Sequence, residues 1–283
     1  MAGTTVISAT ADSATAKKAR SKKLPLILLP PSEGKAQGGS DPAWESGTMR
    51  FGLDDQRGQV AGALAKAMRK AEADRSKLLG VKGVALAAAT QANLELGTAR
   101  TMPALTRYSG VLYDVLDAAT LSPQAKRRLD RSVVIFSGLY GLVAPSDRIP
   151  DYKLKMGASL PGVGRLSTFW RPELSRALGA QVQGRQIWNL LPNEHDAAWD
   201  GPAGTVQVSV RFLERRIDGS MVAVSHWNKF FKGALVRLLL EEPGTTPDDL
   251  ADWRHPAGWI LDPALEEVDG DRRRLAFVRE AVS

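Results

Sequence analysis

The sequence contains no cysteine. That excludes a disulfide framework, a thiolate metal site and a thiol nucleophile, and it suits a reducing compartment. Histidine is nearly as scarce. His195, His226 and His255 stand apart and show no spacing, such as HExxH, that brings imidazoles onto one metal. A zinc or di-iron site is not expected, and no cofactor is evident. No apolar run approaches the ~20 residues needed to cross a bilayer, so no membrane partner is expected. Residues 1–23 lack the apolar centre of a secretory signal, and their charges follow the small residues instead of preceding them. The expected location is the cytoplasm.

The chain has 283 residues, 43% hydrophobic and 24% charged, with a formal charge of +7. The charge is uneven. The first 25 residues hold Lys17, Lys18, Arg20, Lys22 and Lys23 against Asp12, a net +4, and the remaining 33 basic and 30 acidic residues give +3. The body is thus only mildly basic, and net charge alone is weak evidence for a nucleic-acid partner. Residues 1–23, rich in Ala, Thr and Ser, read as a disordered basic extension. The sharper alternative is an arm making non-specific phosphate contacts. Residues 24–283 read as one domain.

Short β-branched or aliphatic runs that stop at Pro or Gly predict buried strands at 24–30, 132–145 and 185–192. Alternation at 206–213 predicts a half-buried strand, with 220–226 as its hairpin partner across Asp218-Gly219. Short closing strands are predicted at 259–261 and 274–278. Apolar spacing predicts helices over 55–77, from about 84, and over 108–118, 168–178 and 228–240, with a short one at 248–253. Ser122 before Pro123 predicts a capped helix start, and Asn193 is the expected cap of a short helix at 193–199. The fold class is therefore α/β (or α+β), a mixed sheet with flanking helices and a helical insertion at about 53–104.

Four stretches are candidates for chemistry. "LILLPPSEGK" (26–35) ends in the Gly-Lys of a phosphate loop, but Leu29 and Ala36 stand where a Walker A motif needs Gly and Ser or Thr. "FSGLYG" (136–141) lacks both glycines of a nucleophile elbow. Ser137, Gly138 and Gly141 still offer a strand-end loop with free amides for an anion or ligand, or simply a tight turn. "LLGVKGVALAAA" (78–89) places Gly80, Lys82 and Gly83 between two helices and resembles a helix-hairpin-helix DNA-binding element, whose glycine amides and helix N-terminus hold one phosphate. An ordinary interhelical turn is the plainer alternative. Finally, Ser32, Glu33, Lys35, Ser137, Tyr140, Asn193 and Glu194 all follow predicted buried strands. If those strands are parallel neighbours, the groups converge on one carboxyl edge and can hold a polar ligand or move protons. A solvated loop rim is the alternative.

"FSGLYGLVAPSDRIPDYKLKMGASL" (136–160), "TFW" (168–170), "NLLPNEH" (189–195), "GSMVAVSHWNKFFKGALVRLL" (219–239) and "RYSGVLYDVL" (107–116) together resemble the YaaA family of bacterial peroxide-stress proteins, over about 24–280. "PPSEGK" resembles the first-loop variant of actinobacterial members. The resemblance implies a "cactus-like" α/β fold with a helix-hairpin-helix insertion, a basic cleft that binds double-stranded or branched DNA, a cytoplasmic location and a role in limiting oxidative DNA damage. On the matching segments it adds Tyr108, Tyr113, Tyr152, Lys153, Lys229 and Lys232 to the candidate ligand or DNA contacts. This sequence departs from the family's pattern in three places. The family's "AKKARG" reads "WNKFFKG" (227–233), keeping Lys229 and Lys232. The first-loop lysine falls two residues later, at Lys35, with Glu33 near its usual place. The family's Glu-Tyr pair is Glu194-His195. These departures leave a cleft richer in acid–base groups, so the alternative to DNA binding is an enzyme on a small polar metabolite (a nucleobase, nucleotide or amino-acid derivative), with a ligand sensor as a third reading.

Overall fold

The computed structural model describes residues 23–224 and 228–280. The N-terminal extension lies outside this range save for Lys23, and so does His226. Nine strands form one mixed sheet: β1 (Leu26–Leu29), β2 (Val133–Ser137), β3 (Gly141–Val143), β4 (Ile187–Asn189), β5 (Gln207–Arg215), β6 (Met221–Ala223), β7 (Ile260–Leu261), β8 (Glu267–Asp269) and β9 (Arg272–Glu280). From one edge the order is β7-β9-β5-β4-β1-β2-β3, with β6 added to β5 and β8 to β9. Every residue of β1, β2 and β4 is buried, the pattern of central strands covered on both faces. The α/β class and mixed sheet expected from the sequence are present.

The positions of β1, β2 and β4 decide where the site lies. β1 pairs in parallel with both β4 and β2, with Leu28 level with Asn189 and with Val134. The loops that follow these strands therefore leave one carboxyl edge side by side. β5 and β9 run parallel over nine residue pairs, from Gln207↔Arg272 to Arg215↔Glu280, whereas β4 pairs with β5 only through Ile187 and Trp188. The two long strands thus overrun the short ones and stand as a wall beside that edge. Because alternate side chains face opposite ways, Val208, Val210 and Phe212 of β5, with Leu275 and Phe277 of β9, form one buried face. Phe231 packs on Phe212 and Phe277 there. Ser209, Arg211 and Arg274 point the other way and line a hollow beside the sheet.

Helices α1 (Asp54–Ala67), α2 (Glu72–Leu79), α3 (Gly83–Leu94), α4 (Val111–Leu116), α5 (Pro123–Ser132), α6 (Leu166–Val182) and α7 (Asn228–Glu241) flank the sheet. Ser122 caps α5 by accepting the Ala125 N–H at 3.1 Å. Three differences from the sequence reading have packing causes. The helix expected over 55–77 breaks after Ala67 and restarts at Glu72. The Arg69 and Lys70 amides bond back three residues, to the Lys66 and Ala67 carbonyls, so the helix closes in a tightened turn at Met68 and tertiary packing overrides helical propensity. The run at 132–145 is a hairpin, β2 pairing antiparallel with β3. The segment 108–118 begins as a short strand, Tyr108–Ser109 paired with Gly34–Lys35, and becomes helical only after Gly110 at φ 115°.

Gly233 lets α7 cross α4. A Cβ there would stand 2.5 Å from the Leu112 carbonyl oxygen and 2.9 Å from Val115 Cβ. Gly233→Ala gains up to about 1 kcal/mol of helix propensity but forces two backbones apart, at about 1–3 kcal/mol. Against rigid backbone the second effect prevails. A lower urea midpoint is expected, and an unchanged or raised midpoint would contradict the close crossing.

Candidate functional site

Pro30-Pro31 ends β1, and the loop carries Ser32, Glu33 and Lys35 to the carboxyl edge. Ser32 Oγ donates to the Ser109 carbonyl. Lys35 Nζ lies 4.2 Å from the ring centre of Tyr152 and 5.8 Å from that of Tyr108, and it donates to the Ser32 carbonyl at 3.3 Å. Among the described residues no carboxylate lies within salt-bridge reach of this amine. Burial without a counter-ion disfavours the ammonium form and pushes its pKa down to about 8, Asp151 and Glu33 opposing weakly from a distance.

The chain has four tyrosines, and all of them meet here. Tyr108 and Tyr152 share a hydroxyl–hydroxyl hydrogen bond of 2.8 Å, and Tyr152 shares another of 2.8 Å with Ser137 Oγ. Tyr113 donates to the Pro30 carbonyl at 2.8 Å and stacks obliquely on Tyr108. Tyr140 packs edge-on between Trp44 and Tyr152, its hydroxyl buried without a partner. Burial raises the pKa of all four phenols, that of Tyr152 to about 12, so they stay protonated and act as donors. Ser137 Oγ also accepts the amides of Leu139 and Tyr140, at 3.2 and 3.1 Å. These amides are therefore spent inside the turn and are not free for an anion. Gly138 is there for close approach: a Cβ would lie 2.8 Å from the Lys155 carbonyl carbon.

Residues 152–156 alternate strictly. Tyr152, Leu154 and Met156 are buried, while Lys153 and Lys155 face outward. Both lysines reach Glu33, Lys153 Nζ at 3.4 Å and Lys155 Nζ at 3.3 Å. Partial burial raises the Glu33 pKa, but the two ammonium groups outweigh it and hold the carboxyl below its usual value. The Asn93 amide of α3 fixes this strip: Nδ2 donates to the Lys153 carbonyl at 2.9 Å and Oδ1 accepts the Lys153 N–H at 2.9 Å. The turn between α2 and α3 abuts the same place. Gly80 is left-handed, at φ 67°, and a Cβ on it would stand 3.8 Å from Lys155 Nζ. Lys82 and Gly83 are exposed on that turn.

The β4 loop forms the third side. Asn193 is the first residue of the short helix Asn193–Asp196, and Pro192 holds the cap position with no side-chain cap bond. The expected role of Asn193 as cap is thus corrected: its side chain faces a cavity of about 860 Å³ between this loop and the β5–β9 wall. Glu194 lies against Gly157, its Oε2 2.6 Å from where a Cβ would be, and links cavity and cleft. His195 is buried, its pKa lowered to about 4 by desolvation, so it stays neutral. Lys232 lines the cavity and donates to the Leu190 carbonyl at 2.8 Å, its pKa lowered by burial to about 8. Four acidic and four basic side chains line this cavity, and ion pairs such as Arg272–Asp196 and Arg211–Glu267 balance them. Lys229 is exposed on the first turn of α7 and lies outside the lining.

The structure therefore brings Ser32, Glu33, Lys35, Tyr108, Tyr113, Ser137, Tyr140, Tyr152 and Lys153 together, sets Asn193, Glu194 and Lys232 next to them, and leaves Lys229 apart. Sequence reasoning missed Lys155, Asn93 and Gly157, and the Arg211, Arg272 and Arg274 of the wall. Only Lys155 had a readable signal, the alternation in "YKLKM".

The sequence model of the family described as "Peroxide stress protein YaaA" matches residues 26–265. A UPF0246 protein of Streptomyces coelicolor is 39% identical over 228 residues, covering 80% of this chain and 86% of that protein. UPF0246 proteins of Corynebacterium efficiens and Corynebacterium glutamicum are 35% and 36% identical over 267 residues, each match covering 89% of this chain and 99% of the relative.

Lys35 makes a pH-dependent contribution to stability. Its folded pKa of about 8 lies below the ordinary 10.5. The native state then holds fewer protons than the unfolded chain between those values, so stability rises with pH across that window and the full cost is present below it. Lys35→Met is expected to stabilise the protein by about 2 kcal/mol at neutral pH, with the advantage vanishing near pH 10.5. Urea denaturation of both proteins across this range checks it, since Lys232 is common to both. An advantage independent of pH would show that Lys35 is an ordinary ammonium.

Proposed function

The chain belongs to the peroxide stress protein YaaA family, and from that premise we propose that it limits oxidative damage by binding DNA across the α2–α3 turn and the lysine strip beside it. One observation carries this reading, the continuity of the lysine surface. Lys77 and Lys82 line a hollow at the α2–α3 turn, and Lys77 with Lys70 lines a second hollow against residues 157–161. Lys155 adjoins Gly80 between them. A phosphate backbone needs such a string of exposed cations, and the amides at the start of α3 suit one phosphate as a helix-hairpin-helix element would. The charge-balanced cavity beyond Glu194 offers no comparable attraction.

A second reading has its own support. Among the described residues Lys35 has no paired carboxylate, and it sits in a buried nest of phenols, a poor place for a backbone contact and a good one for a reactive amine. On this reading the cleft is an enzyme site for a small polar metabolite, with Ser32, Glu33, Lys35 and Glu194 around it.

Fluorescence anisotropy on a labelled duplex and a four-way junction tests the first reading. Removing one lysine–phosphate pairing lowers the slope of log affinity against log salt by about 0.9, so Lys77→Gln with Lys82→Gln is expected to lower it by about 2. No binding at low salt, or an unchanged slope, would sink it. A thermal-shift screen of nucleotides, nucleobases and amino acids tests the second, and silence throughout would count against it.

A further inference from the structure

The Lys35 nest has more donor capacity than the protein uses. An ammonium has three donors, and Lys35 spends one, on the Ser32 carbonyl. The hydroxyl cluster is similarly in excess. Ser137 Oγ accepts two amides, which occupies both its lone pairs. Its own proton must then go to a tyrosine. Among the described residues Tyr108, Tyr152 and Ser137 bond only to one another and to those amides, so three hydroxyl protons share two hydroxyl–hydroxyl contacts. One buried O–H is left without an acceptor, and a group in that state normally finds one. Tyr108 is 2% exposed, so bulk water does not supply it. One surplus hydroxyl donor beside an amine with unspent donors of its own thus calls for an oxygen acceptor. Lys153 and Lys155 at the mouth call for negative charge, and among the described residues Glu33 is the carboxylate that pairs with them.

We propose that Lys35 is the nucleophilic amine of a site for a small carbonyl compound bearing an anionic group, which it captures as an imine. This rests on the small-molecule reading of the cleft. The neutral amine nitrogen attacks the carbonyl carbon, forming a C–N bond as the carbonyl π pair moves to oxygen. The surplus hydroxyl proton hydrogen-bonds that oxygen. The two amine hydrogens then leave with the oxygen as water, giving C=N, with no oxidant or reductant required. The aromatic faces of Tyr108 and Tyr152 keep the amine desolvated, and the outer lysines take the anionic group in exchange for Glu33.

The test uses pyridoxal 5′-phosphate as an anionic aldehyde probe, pyridoxal as its uncharged counterpart, borohydride reduction and peptide mass spectrometry on the full chain. Pyridoxal phosphate is expected to label Lys35 ahead of the exposed lysines, with a rate midpoint near pH 8, matching the lowered amine pKa. It should outpace pyridoxal by roughly tenfold, as a pair of ammonium groups favours a phosphate. Glu33→Gln, by freeing both lysines, should widen that preference. Lys35→Arg keeps the charge and should abolish the dominant adduct while the circular dichroism spectrum stays native. Adducts spread over surface lysines, or no preference for the phosphate form, would overturn the proposal. Pyridoxine 5′-phosphate, which has no aldehyde, separates the two levels. If it raises the melting temperature while Lys35 stays unlabelled, the imine falls and the small-molecule cleft stands. If it has no effect and Lys35 is unlabelled, both fall.

Discussion

The cleft depends on a buried guanidinium. Arg107 is 1% exposed and donates to the main-chain carbonyls of Ala36, Gly38, Arg100 and Ile149. It thereby ties the segment after Lys35 to the end of the helical insertion and to the strip that leads into Tyr152. Burial lowers its pKa, yet a guanidinium does not lose its proton in a protein, so the charge must be satisfied in place. Carbonyl dipoles do this, and among the described residues no carboxylate pairs with it. Several kcal/mol of desolvation oppose such an arrangement, and it persists only when the hydrogen bonds are complete. The loops around Lys35 are consequently fixed. Arg57 does the same for the β2–β3 turn, reaching the Tyr140 and Leu142 carbonyls at 3.1 and 3.0 Å from α1, with Asp54 3.5 Å away.

Within that frame one residue type does two jobs. Lys153 and Lys155 face outward and share the Glu33 carboxylate. Lys35 faces inward onto two rings with no shared carboxylate, and desolvation brings its proton affinity toward neutrality. The difference arises from side: 152–156 is an extended strip whose alternation sends lysines out and Tyr152 in, and Tyr152 is the ring on which Lys35 rests. Burial also fixes what the tyrosines can do, since a phenol whose pKa is raised by desolvation donates a hydrogen bond but does not serve as a base.

Much of this frame is legible in the sequence, and the rest is not, for physical reasons. "LILLPP", "VVIFSG" and "IWNLLP" announce buried strands because each apolar run is stopped by Pro or Gly, residues that interrupt or weaken a strand, and the sheet order makes these three strands neighbours. Their adjacency is a tertiary fact that no local pattern carries. Local composition favours one helix through Met68, but the chain closes a tightened turn there, with Arg69 and Lys70 bonding back three residues. Ser137 looks like a candidate nucleophile until its oxygen is found closing its own turn. Nothing in the local sequence marks Arg57 and Arg107 as buried, because the carbonyls that hold them come from segments brought together only by folding. The cavity at the β5–β9 wall depends on register, which determines how far the long strands overrun β4.

The two readings of function meet at Glu33. Its carboxylate, 66% exposed, bridges Lys153 and Lys155, and exposed ion pairs are worth only about 0–1 kcal/mol. An arriving anion can therefore displace it at little cost. A DNA phosphate would do so from the α2–α3 side, past Gly80, and a small anionic ligand from the Lys35 side. Both would use the same two lysines, so occupancy at one disfavours the other by whatever share of its binding those lysines supply, and the penalty is equal in both directions. On these two readings, DNA and a small anion would not bind independently.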